Sequence, residues 1–304
     1  MSPGGLFLVA LLLAGLVVGF CPNIPRNCTM TSSSVRYFGG AFSATRGTAE
    51  ITINGNFSLW ERAVMIIQMQ GAAYNGSNGS NYGNSTGSGF GYFRNHPLSL
   101  AVGLYELNYV VDFSLDSSND QSTLQLFFPL ENNYSSFLPQ QFQVISFPFC
   151  DTLLVDSVPS VAWDGTKGGV LPIVSKFVQL NVNISMDGKG FRGATADPAG
   201  IILDGSSLPN SAFATSNING RKGEGICGYP GALSSYLFGL DHSRGAPGNA
   251  GGGGHLYGSG GGGGGNGGSG GDGRFGFRSI YSPGNPGFGG DWFQGDPQQL
   301  SLGK

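Results

Sequence analysis

The chain has 304 residues, of which 39% are hydrophobic, 12% aromatic and only 11% charged, while 55 are glycine. This hydrophobic content is enough to build a core, so the chain as a whole is not expected to be disordered. Its formal net charge is −3 and it has no basic run. Because nothing is available to neutralise phosphates, nucleic acid is not expected as a partner.

Residues 1–19 are predicted to be a cleaved signal peptide. The uncharged apolar run LFLVALLLAGLVV occupies residues 6–18. It has the length of a signal-peptide h-region and is short for a hydrocarbon layer of about 30 Å. Cleavage after Gly19 would leave a small residue at the cleavage site, and a short membrane anchor is the alternative. We therefore expect a secreted, extracellular chain with no membrane segment after cleavage.

Four cysteines would remain in the secreted chain, and an even set is expected to form disulfide bonds outside the cell. Three connectivities can be written, and the preferred one joins the sequence neighbours and leaves the two distant cysteines to each other. A zinc site is not expected, because CxxC spacing and a convergent histidine set are absent. The preferred pairs are Cys21 with Cys28 and Cys150 with Cys227.

Seven asparagines begin N-x-Ser/Thr sequons without a central proline. In a chain rich in Asn and Ser, several such triplets arise by chance. As a set, and together with a signal peptide, they predict a eukaryotic glycoprotein. The predicted glycosylation sites are Asn27, Asn56, Asn75, Asn78, Asn84, Asn133 and Asn183.

Residues 37–150 are predicted to form short antiparallel β-strands. The segment EITINGNFSLW alternates apolar and polar residues across Asn54-Gly55, a pair that favours the type I′ turn of a hairpin. Three later segments are rich in aromatic and β-branched residues: LYELNYVVDFSLD, STLQLFF and QFQVISFPF. Pro129 and Pro148 are expected to place parts of these strands at sheet edges.

Residues 151–245 are predicted to form a Gly-rich parallel β-solenoid-like region, which makes the fold class all-β. Short alternating runs in residues 162–193 are separated by glycine corners such as Asp164-Gly165, Gly168-Gly169 and Asp187-Gly188. Short strands at this spacing suit solenoid coils, in which each coil covers the inward side chains of the next. A β-sandwich would give similar runs and is the alternative.

Residues 246–304 form a Gly-rich region whose densest part is GGGGHLYGSGGGGGGNGGSGGDG, residues 251–273. No strand-to-helix junction or Gly-Lys-Ser/Thr ending accompanies these glycines, so a phosphate-binding loop is not expected. The remaining interpretations are a flexible linker and a scaffold whose backbones approach more closely than any Cβ would allow, as at the collagen axis. Spaced aromatic residues favour the scaffold: Tyr257, Phe275, Phe277 and Phe288.

Acidic residues of the Gly-rich half are candidates for sugar hydrolysis, which needs two convergent carboxylates. Turn geometry explains most Asp-Gly pairs without chemistry, and Glu224 has Lys222 as a neighbour with which to pair. No histidine lies in a nucleophile context such as GxSxG. We predict no catalytic residue, no metal ligand and no cofactor. The residues considered were Asp187, Asp197, Asp204, Glu224, His96, His242 and His255, with Trp60, Trp163 and Trp292 as less favoured sugar-stacking candidates.

The motifs GKGFRG, KGEGI and RGAPGNAGGGG, with AWDGTKGGVL and GGGGGGNGGSGGDG, occur in one order between residues 102 and 290. In this order they resemble a large, mostly bacterial group of secreted Gly-rich proteins that look β-helical. The resemblance implies export and a β-helical fold, and it carries no activity. Members usually have other residues at Cys150 and Cys227, which supports pairing these two. Members also continue into further Gly-rich coils, which implies that this chain is a fragment with a truncated Gly-rich region.

Taken together, the sequence predicts a secreted structural glycoprotein of an extracellular matrix, coat, cell wall or skeletal organic matrix, including the matrix of a biomineral. Its expected partners are other matrix proteins or polysaccharide. The low density of acidic residues argues against direct mineral nucleation. The first alternative is a carbohydrate-binding adhesin, and the second is a polysaccharide-degrading β-helix enzyme.

Overall fold

A computed structural model describes most of the chain after the predicted signal peptide, which itself lies outside the described residues. The chain divides into two compact units. The first comprises Met1–Ile67, Tyr105–Ser135 and Phe142–Gly190, and the second comprises Gln68–Leu104, Ser136–Gln141 and Phe191–Lys304. The described residues are 25–58, 62–74, 91–93, 95–194, 220–228, 242, 244–254, 259–265, 269–274 and 286–291.

The regular structure of the described residues is almost all β, as the fold class predicts, with one five-residue helix, α1. His96 caps this helix, because its Nδ1 accepts a hydrogen bond from the Leu98 N–H at 3.2 Å. The elements are β1 (Asn27–Met30), β2 (Arg36–Gly39), β3 (Glu50–Asn54), β4 (Ala63–Gln70), α1 (Pro97–Ala101), β5 (Tyr105–Asp116), β6 (Gln121–Leu126), β7 (Gln141–Phe147), β8 (Cys150–Val155) and β9 (Ser175–Leu180).

A six-stranded sheet has the order β2-β7-β4-β5-β6-β3. The pairs β2–β7, β4–β5, β5–β6 and β6–β3 are antiparallel, which confirms the antiparallel character predicted here. In β6 alternate residues are buried, so this strand turns one face towards the core. Every residue of β4 is buried. The core cluster includes Ile66, Leu124 and Phe142, none of which is exposed to solvent.

The hairpin predicted at Asn54-Gly55 is wrong. A type I′ turn needs positive φ at both central residues, but only Gly55 has it, with φ of +106°. Instead, β3 pairs with β6, and the Gly55 N–H donates to the Asp120 carbonyl at 2.6 Å. The hairpin in this part of the sheet joins β5 to β6, where Asp120 itself has φ of +50°.

A second sheet of three strands is parallel and has the order β1-β8-β9. Residues 156–174 connect β8 to β9 and are largely irregular. Of the runs predicted to be solenoid strands in residues 162–193, only Ser175–Leu180 forms a strand. The described residues of the predicted solenoid region therefore show the parallel pair β8–β9 and no solenoid coils. Residues 195–219, 229–241 and 243 of that region lie outside the described residues.

The disulfide bond joins Cys28 to Cys150, with their Cα atoms 6.0 Å apart. The preferred pairing of Cys21 with Cys28 and of Cys150 with Cys227 is therefore wrong. The parallel pairing of β1 with β8 brings Cys28 and Cys150 together, which sequence spacing does not reveal. Cys227 is a buried free thiol, and burial raises its pKa. Cys21 lies outside the described residues.

Candidate functional site

The most unusual feature of the second unit is a set of backbone segments joined directly to one another by hydrogen bonds. We call this set the glycine lattice and its members segments I to V. Glycine accounts for 20 of their 35 residues, and most of segment II is buried. Segments I to V are residues 220–224, 244–254, 259–265, 269–274 and 286–291.

Hydrogen bonds in the glycine lattice recur every third residue. The N–H groups of Gly260 and Gly263 both donate to segment IV, and those of Gly262 and Gly265 both donate to segment II, at 2.8–2.9 Å. A period of three is that of the polyproline II helix, which forms no internal hydrogen bonds and offers its polar backbone groups to neighbours. A β-strand would repeat every second residue. Segment III therefore packs against segments II and IV as a polyproline II-like helix of glycine.

Segments III and V each form hydrogen bonds with three other segments, so the packing differs from that of a sheet. Segment III donates to segments II and IV, and it accepts hydrogen bonds from Gly287 and Gly290 of segment V. Segment V also donates to segment II and accepts from segments II and IV. A strand in a single sheet has at most two hydrogen-bonded neighbours. The lattice therefore extends in two directions across the helix axes.

Side chains are excluded at many of the glycine positions of the lattice by this close packing. A Cβ at Gly262 would lie 2.0 Å from the Phe288 carbonyl oxygen, and one at Gly253 would lie 1.8 Å from that of Gly220. Real Cβ atoms do not approach backbone that closely. Other glycines would meet backbone at 1.8–2.3 Å as well. They are Gly251, Gly252, Gly254, Gly265, Gly270, Gly273, Gly287, Gly289 and Gly290.

These contacts supply a physical reason for the glycine-rich composition. Ordering a glycine backbone is entropically expensive, and here it is offset by hydrogen bonds that residues with a Cβ could not form at this separation. The described residues thus adopt the closely packed arrangement that the scaffold interpretation predicts for residues 251–273, rather than that of a flexible linker.

A buried carboxylate, that of Glu224, ties segment I to other parts of the second unit. Its side chain has no solvent exposure and pairs with Arg192, whose Nε lies 2.8 Å from Glu224 Oε2. Gln70 Nε2 donates to Glu224 Oε1 at 3.1 Å. Lys222, the neighbour considered as its partner, instead donates to the Gly245 carbonyl. Both carboxylate oxygens are therefore engaged in structural contacts.

Other polar side chains hydrogen-bond to backbone in or next to the lattice, where no neighbouring segment does so. Asn249 Oδ1 accepts from the Ile226 N–H at 2.8 Å, and Asp272 Oδ1 accepts from the Gly289 N–H at 2.8 Å. The Arg244 guanidinium lies 4.4 Å from the centre of the Phe288 ring. Burial lowers the pKa of Arg244, an effect that the charge of Asp272 opposes. These few side chains complete hydrogen bonds that glycine alone would leave open.

The remaining acids and histidines that the sequence singles out do not form a common site among the described residues. Asp187 is exposed and Asp164 caps its own turn, accepting from Thr166 and Lys167 N–H groups at 2.8 and 2.9 Å. His242 is buried. Within the described residues there is no group of three or more residues that could hold a metal ion. Asp197, Asp204 and His255 lie outside the described residues.

The tryptophans considered for sugar stacking do not form an exposed surface among the described residues. Trp163 is buried, as expected for a core residue, whereas Trp60 and Trp292 lie outside the described residues. The sequence pattern did not predict any exposed phenylalanine. In the structure Phe137 is 66% exposed and Phe177 is 69% exposed. Phe177 belongs to β9, whose side chains are nearly all exposed. A strand with apolar residues on both faces is usually a buried strand, so no sequence signal indicates this exposure.

Four predicted glycosylation sites lie within the described residues, and all four are exposed. Asn133 also accepts a hydrogen bond from the Arg46 N–H at 2.8 Å through its side-chain oxygen. The four are Asn27, Asn56, Asn133 and Asn183, all in the first unit. Asn75, Asn78 and Asn84 lie outside the described residues.

Comparison with known proteins gives no assignment of family. No protein-family model matches the chain, and no curated protein matches it significantly. The part of the chain that the structure describes contains no helix with the length and hydrophobicity of a membrane span. Any conclusion about function therefore depends on the geometry of the molecule.

Proposed function

We propose that this chain is a secreted structural glycoprotein of an extracellular matrix, coat, cell wall or skeletal organic matrix. It acts through packing and association, without chemistry on a substrate. Its partners are other matrix proteins or polysaccharide. The observation that carries the proposal is the glycine lattice, in which backbone contacts replace the side chains that a binding or catalytic surface would need.

Export is supported by the covalent chemistry of the first unit. A disulfide bond between Cys28 and Cys150 is typical of proteins that fold in an oxidising compartment. The four described sequon asparagines are exposed, as attachment of a glycan requires. Glycans on this unit would provide hydration in a chain with only 11% charged residues.

The two alternatives are less well supported by the described residues. An enzyme of polysaccharide hydrolysis needs two free carboxylates facing a cleft, whereas Glu224 is wholly buried and paired with Arg192. An adhesin with a sugar-stacking face needs an exposed row of Trp and Tyr, and Trp163 is buried. A matrix role accounts for the glycine lattice and the exposed sequons, which these alternatives leave unexplained.

Mass spectrometry of fractionated material tests the proposal. Peptides of this chain should be found in bleached and washed extracellular or skeletal material and be depleted from the soluble secreted fraction of the same source. A general secreted protein from that source serves as the control for carry-over. Detection of the chain in the soluble fraction alone would overturn the matrix role, and sugar binding and hydrolysis would then be measured.

A further inference from the structure

One side of the glycine lattice is exposed among the residues that the structure describes. Gly261 and Gly263 of segment III and Gly271 of segment IV are exposed, and Gly264 is partly exposed. We call these four residues the outer rim. The N–H groups of Gly261 and Gly264 donate to no described residue. These two residues are three apart, which is the period at which the hydrogen bonds of segment III repeat.

Gly263 and Gly271 of the outer rim have room for atoms that the interior excludes, whereas a Cβ at Gly261 would lie 3.1 Å from the Gly252 carbonyl oxygen. A Cβ at Gly271 would meet nothing within 4 Å, and one at Gly263 would meet its nearest neighbour at 3.7 Å. At Gly262, between these exposed positions, a Cβ would collide at 2.0 Å. The difference marks the boundary between the packed and the open side of segment III. Donors with no partner among the described residues, at a fixed period on an exposed edge, are a template for another chain of matching period, as on an open β-sheet edge.

The group that fits this template is another glycine helix with the same period of three. Segment III already pairs in antiparallel fashion with segments II and IV, so an antiparallel copy of itself would present its carbonyls in the same way. Such a contact uses one surface patch on both chains, the usual arrangement in a symmetric dimer.

Charge and glycosylation also favour a second copy at this surface. Segment III carries no charged residue, so two copies would not repel each other. No sequon occurs in residues 191–304, and therefore no N-linked glycan is expected on the lattice. The described sequons lie in the first unit. Segment III at this edge is thus uncharged and without sequons, while exposed Asp272 and Arg274 lie close to Gly271 on segment IV.

We propose that the outer rim is a self-association surface, at which segment III packs antiparallel against segment III of a second copy as one more glycine helix of the lattice. The inference rests on the proposed matrix role, and it identifies a second copy of this chain as the first partner in assembly. Only chains with glycine at the rim fit, because a Cβ on either copy would stand where the other backbone must lie.

The test is the association of the full secreted chain, measured by sedimentation equilibrium over a wide concentration range. The double variant Gly263→Ala/Gly271→Ala should raise the dimer dissociation constant about tenfold or more, with an unchanged melting temperature because both Cβ atoms have room in the fold. The matched control, Ser32→Ala/Ser117→Ala, changes two exposed residues of the first unit and should associate as the unmodified chain does.

Amide hydrogen exchange provides a second readout that needs no variant. The amides of Gly261 and Gly264 should exchange more slowly at high protein concentration, while amides already bonded within the lattice should not change. A chain that remains monomeric, or a double variant that associates normally, would overturn the self-association surface. A monomeric chain that is nevertheless found in the insoluble matrix would leave the matrix role standing. Self-association without matrix localisation would instead overturn the proposed function alone.

Discussion

The six-stranded sheet and the glycine lattice satisfy their backbone hydrogen bonds in opposite ways. In the sheet, side chains such as Ile66 and Phe142 fill the core and are fully buried, so stability comes mainly from apolar surface removed from water. In the lattice, a Cβ at Gly262 or Gly253 would collide with backbone, so stability comes from contacts between backbones themselves. Removing atoms should therefore damage the first region, and adding atoms should damage the second.

The largest expected effect concerns the covalent bond of the first unit. The double variant Cys28→Ser/Cys150→Ser removes a crosslink between residues separated by 122 positions. Chain-entropy arithmetic assigns a loop of that length about 5 kcal/mol of stabilisation. Urea unfolding of the two chains measures the difference, and reduction of the unmodified protein should reproduce it. Equal stability of the oxidised protein and the double variant would contradict the assigned pairing.

Truncation of the sheet core should come next. Ile66→Ala removes a fully buried side chain of β4 from the core cluster, and a cavity of this kind costs about 2–5 kcal/mol. The same denaturant measurement applies. The exposed Val111→Ala, on β5, is the control and should change stability by less than about 0.5 kcal/mol. An equally small loss for Ile66→Ala would show that β4 is not part of the core.

Addition of a single carbon atom to the lattice is the converse experiment. Gly262→Ala places a Cβ 2.0 Å from the Phe288 carbonyl, so segments III and V must separate, at an expected cost of about 1–3 kcal/mol. Gly271→Ala has open space around the new atom and is the matched control, with little change expected. Hydrogen exchange of lattice amides is the suitable measurement, at a protein concentration low enough to keep the chain monomeric. Equal protection in both variants would show that backbone contact does not determine where glycine is needed.

The sequence predicts the sheet better than it predicts the lattice or the disulfide bond. Strands β5, β6 and β7 agree closely with the aromatic and β-branched segments from which they were predicted, because apolar alternation records which face is buried. Polyglycine has no side-chain pattern, so its period of three is not visible in the sequence. The pairing of Cys28 with Cys150 depends on β1 lying beside β8, a contact between distant segments that local patterns do not encode.

The smallest effect concerns a single turn of the first unit and tests the interpretation of Asp-Gly pairs as structural. Burial acts to raise the pKa of Asp164, but hydrogen bonds from Lys167 and Thr166 and the charge of Lys167 outweigh it, so the pKa lies below its usual value. A depressed folded-state pKa means that this carboxylate stabilises the fold above its unfolded pKa of about 3.9. The stabilisation is lost as the pH falls through the lower, folded-state value.

Asp164→Asn should therefore lower the melting temperature slightly near neutral pH and make no difference at the acidic end of the titration. The effect should be small because part of the side chain is in contact with water, which weakens its electrostatic interactions. Melting curves of both chains across the acidic range measure the difference. Asp187→Asn, at an exposed position where the carboxylate accepts no hydrogen bond from its turn, is the control. A loss that persists unchanged in acid would mean that Asp164 supports the turn through its shape rather than its charge, and would remove the electrostatic reason for an aspartate at this glycine corner.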